Sequence, residues 1–262
     1  PLPRYSDLLR EYGSPDMAQP RIVSLLPSAT EIAVALGLGE SLVGRSHECD
    51  YPLFVKALPV VTSTRLEKGL TSRQIDDRIQ EIVRQGLSVY EVDTALLRDL
   101  RPDLILTQSQ CAVCAVTPAD LEEALGDWIG TAPTLLSLAP DTLEDVWSDF
   151  AKVAEAAGIP ERASSVVGDL KERMSGLSRS SAERMDRPRV AAIEWIDPLM
   201  AAGNWVPELI EAAGGHPLFA RAGEHSSWLN WDDLIAADPD LIVAMPCGYL
   251  LPQTLADLGS LV

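Results

Sequence analysis

The side chains with the clearest binding chemistry lie in short loops that directly follow predicted strands. One such loop contains His47, and another contains Cys111 and Cys114 in a Cys-x-x-Cys pattern. Imidazole nitrogens and thiolates are ligands for transition metals, whereas the rings of Trp195 and Trp205 can form flat walls for a large ring system. These residue types indicate binding of a small molecule or of a metal ion.

The candidate site residues share one position in the sequence: they follow predicted strands. In open α/β sheets, ligands bind beyond the carboxyl ends of the strands, so the residues that follow each predicted strand define the candidate site. All four cysteines and one of the three histidines occur there. The candidate ligand-binding residues are Pro27, Ser28, His47, Glu48, Asp50, Tyr51, Gln108, Gln110, Cys111, Glu194, Trp195, Asn204, Trp205, Cys247 and Gly248.

A metal centre is one alternative to an organic ligand at these positions. A single Cys-x-x-Cys pair is either a redox pair or half of a zinc site, and the fold must add further ligands to complete a tetrahedron. The metal-ligand candidates under this alternative are His47, Cys49, Cys111, Cys114 and Cys247. Core packing is open for the same cysteines and for Trp195 and Trp205, since a cysteine without a disulfide is usually a small buried hydrophobic residue.

A third interpretation is a thiol-dependent or metal-dependent enzyme. The chain has no Ser-His-Asp arrangement, no glycine-rich phosphate loop and no His-Glu-x-x-His motif. His216 and His225 fall in a loop without an evident acidic partner. We therefore assign no catalytic residue and no catalytic cofactor, and expect a binding protein.

The elements that must position these loops can be read from the pattern of apolar residues. Residues 21–26 form a short apolar run closed by Pro27, which predicts a buried strand. The Ser-Ala-Thr-Glu sequence at 28–31 is a capping-box pattern, and the helix that it begins is expected to stop at Gly37. Further strands are expected at 42–44, 104–107, 135–138 and 189–193.

Two flanking halves of the chain repeat each other. Residues 31–37 match 208–214, and Pro102-Asp103 precedes a strand in the same way as Pro239-Asp240. Between the halves, residues 142–177 have helical periodicity that no strand interrupts. The sequence therefore predicts an α/β fold of two Rossmann-like lobes with parallel sheets, joined by a long helical spine, with the ligand cleft between the lobes. The expected boundaries are 1–19 for an extension or leader, 20–140 for the N-terminal lobe, 141–186 for the spine and 187–262 for the C-terminal lobe.

Charge and composition exclude several partners. With 39 acidic and 21 basic residues the net charge is −18, so the surface repels nucleic acid and anionic membrane faces. No run of eighteen apolar residues is present, and the protein is not expected to be embedded in a membrane. No signal peptide is visible, which leaves both periplasmic and cytoplasmic locations open.

Five blocks of the sequence resemble the cobalamin-binding or iron/B12 periplasmic-binding proteins of ABC importers. The resemblance covers about residues 20–262. It implies two Rossmann-like lobes bridged by a long helix, a monomeric binding protein and a periplasmic location. The five blocks are 21–31 (RIVSLLPSATE), 44–52 (GRSHECDYP), 102–114 (PDLILTQSQCAVC), 194–207 (EWIDPLMAAGNWVP) and 238–248 (DPDLIVAMPCG).

The resemblance also implies a ligand and a partner. The ligand is a corrinoid, cobalamin or a precursor, lying flat among aromatic and polar loop residues; a metal ion or iron chelate bound by the Cys and His loops is the alternative. Importers of this family dock their permease through one acidic residue per lobe, and Asp93 and Asp232 are the approximate equivalents here. The family continues past the position of Val262 with a further strand and helix, so we expect the C-terminal lobe to be incomplete in this chain.

Overall fold

The computed structural model describes residues 19–85, 87–110, 115–126, 128, 130–182 and 186–259. Contacts divide the chain into two units. Unit 1 contains the described residues up to 65 together with 88–139 and 147–167, and unit 2 contains 66–87, 140–146 and the described residues from 168 onward. Residues 66–87 lie inside the sequence range expected for the N-terminal lobe, yet their contacts place them in unit 2.

Unit 1 is built on a four-stranded parallel sheet. Its strands are β1 (Ile22–Ser24), β2 (Leu42–Arg45), β5 (Leu104–Gln108) and β6 (Thr134–Leu138), in the spatial order β2-β1-β5-β6. Every residue of the two central strands, β1 and β5, is buried, as expected for a parallel sheet with both faces covered. A separate antiparallel pair joins β3 (Thr62–Thr64) to β4 (Tyr90–Val92).

Unit 1 also contains helices. They are α1 (Pro27–Ala35), α3 (Thr94–Leu100), α4 (Pro118–Gly126) and most of α5 (Leu143–Ala156). The capping box predicted at 28–31 is wrong: Leu26 is the N-cap of α1 and makes no side-chain cap bond. Pro27 occupies the first helical position instead, where its fixed φ suits the helix and its missing N–H costs nothing.

Unit 2 contains a mixed sheet around one central strand. β7 (Arg189–Trp195) pairs in parallel with β11 (Leu241–Ala244) and, along its first half, with β9 (His216–Leu218). Along its second half it pairs antiparallel with β8 (Met200–Ala201), which pairs with β10 (Ser227–Trp228). Antiparallel pairing arises because the turn after β7 returns the chain directly as a hairpin rather than through a crossover helix.

The remaining helices complete unit 2 and the predicted spine. Unit 2 contains α2 (Ser72–Arg84), α7 (Val206–Ala212), α8 (Trp231–Ala237) and α9 (Leu251–Gly259). The helical segment without a strand that was predicted at 142–177 is confirmed as two helices, α5 and α6 (Glu161–Ala182), each of which contributes residues to both units. Within the described part of the chain, no helix is long and apolar enough to cross a membrane.

The Pro-Asp repeat seen in the sequence has one structural cause in both units. The Asp103 carboxylate accepts a hydrogen bond of 2.8 Å from the backbone N–H of Arg21 at the start of β1. The Asp240 carboxylate accepts one of 2.7 Å from the backbone N–H of Arg189 at the start of β7. Each aspartate thus joins the first residues of two neighbouring parallel strands, and this interaction explains why the pattern recurs.

Candidate functional site

The carboxyl ends of β1, β2 and β5 lie at one edge of the parallel sheet because the three strands run in the same direction. This edge collects three groups of predicted site residues. Pro27 and Ser28 begin α1 after β1, with Ser28 exposed, and the loop after β2 carries His47 and Glu48. Gln108 is the last residue of β5 and Gln110 follows it; the buried Gln108 side-chain amide donates to the carbonyl of Ala115 at 3.1 Å.

His47 is held at this edge by a residue from another element. Its backbone N–H donates to Thr62 Oγ1 at 3.0 Å, and its Nδ1 atom lies 2.8 Å from the same oxygen. The ring of Tyr90, on the strand paired with that of Thr62, lies 5.7 Å from the imidazole centroid. Burial and the positive charge of Arg45 lower the pKa of His47, which favours the neutral imidazole.

The loop that follows His47 is anchored by Arg45. The Arg45 guanidinium donates to the carbonyls of Ser46 and Cys49 at 3.0 Å each and to the carbonyl of Lys56 at 3.2 Å. Three carbonyls from one loop around a single planar cation fix the backbone of residues 46–56. The predicted site residues Asp50 and Tyr51 are exposed on this loop.

Glu48 and Cys49 differ in their surroundings although they are neighbours in sequence. Glu48 is half-buried, and burial raises the pKa of its carboxyl. The Cys49 side chain is fully buried, and its thiol accepts a hydrogen bond of 3.1 Å from the Thr30 hydroxyl. Burial raises the pKa of this thiol, so the protonated form is favoured.

The metal alternative depends largely on residues outside the described part of the chain. Cys111 and Cys114 lie in the segment 111–114, which the structure does not describe. Among the described residues, no group of three or more His, Cys, Asp or Glu side chains is arranged to hold a metal ion. A metal centre that includes the Cys-x-x-Cys pair stays a prediction.

In unit 2 the predicted residues collect at the carboxyl end of β7. Glu194 and Trp195 are its last two residues, and the backbone N–H of Cys247, which follows β11, donates to the Glu194 carbonyl at 3.2 Å. Gly248 comes next, with a φ of 76°. Cys247 and Gly248 are both exposed. The structure therefore brings these four predicted residues together.

Trp195 belongs to a row of large side chains that crosses three strands. Met200 on β8 pairs with Trp195 on β7 and with Trp228 on β10. Trp228 is 61% exposed and was not among the predicted site residues. Ala201, next to Met200 on β8, projects from the opposite face and is buried, and its partner on β7 is the buried Ile193. The pairing register shifts between Ile193 and Trp195. We call Trp195, Met200 and Trp228 the aromatic row.

Tyr249 packs against the aromatic row at Trp195. Its ring meets the indole of Trp195 edge-on, with 5.5 Å between centroids and 63° between planes. Burial raises the pKa of its phenol. Tyr249 was not among the predicted site residues, but it also follows a strand, β11, and this position could have identified it.

Asn204 and Trp205 lie at a turn that a second loop covers. Asn204 adopts a φ of 52°, its N–H donates to the Glu224 carbonyl at 2.7 Å, and its own carbonyl accepts from the N–H of Gly223 at 3.0 Å. A Cβ at Gly203 would lie 2.5 Å from the Glu224 carbonyl oxygen, so only glycine permits this approach. The half-buried Trp205 is the N-cap of α7.

Glu194 is the one predicted site residue in unit 2 with a perturbed carboxyl. Burial raises its pKa, and a hydrogen bond from Ser226 and the charge of His225 act in the opposite direction. His225 therefore has an acidic group in its vicinity, contrary to the expectation from the sequence. Ser226 and His225 both lie in the loop that covers Asn204.

The predicted permease-docking residues are both exposed. Asp93 is the N-cap of α3, and its carboxylate accepts from the N–H of Leu96 at 2.9 Å. Asp232 lies in the first turn of α8 in unit 2. Exposure leaves both carboxylates accessible, and their role in docking stays a prediction.

Comparison with known proteins places the chain among binding proteins. A family model described as periplasmic binding protein matches residues 22–257. The vitamin B12-binding protein of Photorhabdus laumondii is 23% identical over 224 residues, which cover 85% of this chain and 70% of that protein. The vitamin B12-binding protein of Yersinia pestis is 27% identical over 247 residues, 93% of this chain and 76% of the relative.

Solved structures show the same fold with two kinds of named ligand. The periplasmic vitamin B12 binding protein BtuF of Vibrio cholerae aligns with a TM-score of 0.60 and 21% identity over 86% of this chain and 76% of its own. The periplasmic heme-binding protein RhuT from Roseiflexus sp. RS-1, in apo form, aligns with a TM-score of 0.63 and 26% identity over 92% and 80%. These similarities confirm the predicted α/β fold of two-lobed binding proteins with a long helical spine.

Proposed function

The chain belongs to the periplasmic binding protein family, and on that premise we propose that it captures a corrinoid, cobalamin or one of its precursors. Proteins of this family and the relatives above are non-catalytic substrate-binding proteins, so the mechanism is capture rather than chemical conversion. The polar loops and aromatic side chains at the sheet edges are the groups that such capture requires.

The aromatic row is the observation that supports a flat ligand. Trp195, Met200 and Trp228 are paired in register across three strands, and the neighbour of Met200 on the opposite face is the buried Ala201. Aromatic rings and a thioether offer apolar surface, and a macrocycle that covers them buries more apolar area than a small ion does. Tyr249 fixes the orientation of the Trp195 indole through its edge contact.

Unit 1 supplies polar groups of the kind that the periphery of a corrinoid needs. The exposed Ser28 hydroxyl can donate to an amide oxygen, and Gln110 and the Glu48 carboxyl lie at the same sheet edge. Gln108 already bonds to Ala115, so we assign it to the support of the loop rather than to the ligand.

Heme is the second candidate ligand. It is also a planar metal macrocycle, and RhuT, named for heme, is as similar to this chain as the vitamin B12-binding relatives are. We place heme second because the amide side chains of the strand-end loops suit the amide-rich rim of a corrinoid better than the two carboxylates of heme. The net charge of −18 is also unfavourable to those carboxylates.

Delivery to an importer follows from family membership. We propose that the protein works outside the cytoplasm as a monomer and passes its ligand to an ABC permease through the exposed Asp93 and Asp232. An uptake assay with the cognate permease tests this step, using Asp93→Asn and Asp232→Asn in combination. The asparagine retains the cap of α3, so transport should fall while ligand affinity is unchanged; unchanged uptake would remove both residues from the docking surface.

Titration with cyanocobalamin, dicyanocobinamide and hemin, followed by visible absorbance and thermal shift, tests the ligand assignment, with zinc and iron salts run in parallel. We expect the corrinoids to raise the melting midpoint most strongly, because a ligand that binds only the folded state stabilises it. Trp195→Ala should weaken corrinoid binding about tenfold, or about 1.4 kcal/mol. Trp231→Ala, at a 43%-exposed tryptophan of the same unit, is the matched control. Stabilisation by hemin or by metal salts alone would reject the corrinoid assignment.

A further inference from the structure

We infer that His47 coordinates the metal ion at the centre of the bound macrocycle through its Nε2 atom. The inference rests on the proposed function and goes beyond it, because it assigns the coordinating atom and predicts that the bond forms only with macrocycles that have an exchangeable axial position. Aqua-corrinoids and heme both meet this chemical description.

The geometry around Thr62 carries the inference. One oxygen, Thr62 Oγ1, contacts both the backbone N–H of His47 at 3.0 Å and its ring Nδ1 at 2.8 Å. Because this oxygen binds both the backbone and the ring of His47, the imidazole cannot rotate about its side-chain bonds without breaking the bond at Nδ1. Metal-coordinating histidines usually have the second ring nitrogen fixed in this way.

The other ring nitrogen is left available. Within the described residues, Nε2 of His47 makes no hydrogen bond, and it is not among the buried polar atoms that lack a partner. The side chain is half-buried at the carboxyl edge of the parallel sheet. Nε2 is therefore oriented by the protein and accessible at the edge where ligands of such sheets bind.

The protonation state suits coordination as well. A metal takes the neutral imidazole, and burial together with the Arg45 charge lowers the pKa of His47. For Nε2 to present its lone pair, the ring proton must reside on Nδ1. Thr62 Oγ1 can accept that proton in a hydrogen bond while it also accepts the backbone N–H, because a hydroxyl oxygen has two lone pairs.

Coordination is a simple ligand exchange. The Nε2 lone pair forms a dative bond to the metal, and the water that held the axial position leaves intact. No electron is transferred, and the proton count of protein and ligand is unchanged. A macrocycle whose axial positions hold cyanide has no weakly held water to lose, so it cannot make this bond readily.

The experiment compares diaquacobinamide with dicyanocobinamide on the full chain. With the wild-type protein, the visible bands of the aqua form should shift to those of an imidazole complex, whereas the dicyano form should bind without a shift. His47→Ala should abolish the shift and weaken binding of the aqua form about tenfold or more, with little effect on the dicyano form. Added free imidazole should restore the shifted bands in that variant.

Thr62→Val and His216→Ala complete the test. Valine has the shape of threonine without the oxygen, so the affinity for the aqua form should fall about 10- to 100-fold, as for other partners of metal-bound histidines. His216, exposed on β9 in unit 2, is the control and should behave as wild type. His47→Gln serves as a second variant, with circular dichroism to verify folding.

The possible results separate the inference from the function. Binding of both cobinamides by the wild type without a spectral shift, or an identical shift in His47→Ala, would overturn the coordination by His47 and leave corrinoid capture standing. Absence of binding to both cobinamides and to cyanocobalamin would reject the proposed function itself. Hemin is titrated in parallel, with its Soret band as the readout. A shift of that band without any shift in the cobinamide bands would assign the same coordination to heme.

Discussion

The ring of Tyr249 packs edge-on against the indole of Trp195, with 5.5 Å between the ring centroids. Trp195 is the last residue of β7 and Tyr249 follows β11, and these two strands pair in parallel. Edge-to-face pairs of this kind contribute about 0.5–1.5 kcal/mol beyond the burial of their area. The contact fixes the plane of Trp195 and hence the surface that the aromatic row offers to a flat ligand.

Removal of the Tyr249 ring should therefore affect binding through Trp195. Tyr249→Ala is expected to weaken corrinoid affinity about three- to tenfold, because the free indole must be ordered on binding at a cost of about 0.5–1.5 kcal/mol. Tyr249→Phe retains the edge contact and should bind nearly as wild type. Isothermal titration calorimetry of the two variants measures the difference. Equal losses in both variants would attribute the effect to the phenol rather than to the ring.

Arg45 should be necessary for the ordered loop at 46–56. Arg45→Met removes three charge-assisted hydrogen bonds to the carbonyls of Ser46, Cys49 and Lys56 and leaves those acceptors to water. We expect a loss of stability of about 1–3 kcal/mol and faster proteolysis within this loop. Arg45→Lys should recover little of it, since an ammonium cannot reproduce the planar fork. Limited proteolysis with mass spectrometry gives the cleavage positions, and cleavage elsewhere would argue against this role of Arg45.

Glu194 should make stability depend on pH with a definite sign. Burial raises its pKa in the folded state above the ordinary value, so the folded protein binds the proton more tightly than the unfolded chain. The contribution of the protonated carboxyl to the free energy of unfolding is fully present below about pH 4.5 and is lost as the pH rises through the folded-state pKa. Glu194→Gln removes this loss. The melting midpoint of the variant minus that of the wild type should therefore increase by about 1–3 °C from pH 4 to pH 7.

A control at the neighbouring exposed acid checks that assignment. Glu224→Gln, in the loop that covers Asn204, alters the overall charge equally but removes an exposed carboxyl. Its melting midpoint should follow the wild type across the same pH range. A parallel rise in both variants would show that net charge, and not the burial of Glu194, governs the pH dependence.

Much of the fold follows from local sequence patterns. Apolar runs at 21–26 and 104–107 correspond to β1 and β5, since strands covered on both faces must be apolar throughout. The Pro-Asp repeat led to two similarly wound halves, and Asp103 and Asp240 indeed bond to the first residues of neighbouring strands. The rule that ligands bind at the carboxyl ends of strands led to His47, Glu194 and Trp195 without any knowledge of their contacts.

The sequence by itself determined which elements form and which loops end at a sheet edge, because hydrophobic periodicity and strand direction are local properties. Only the tertiary structure decided which distant residues contact each other. Thr62 fixes His47 from 15 residues away, and the hairpin register aligns Trp195 with Met200 and Trp228. Residues 66–87 join unit 2, where the backbone N–H of Ser72 bonds to the Asp257 carboxylate. Such contacts depend on register and on packing between distant segments, and no local pattern in the chain encodes either of them.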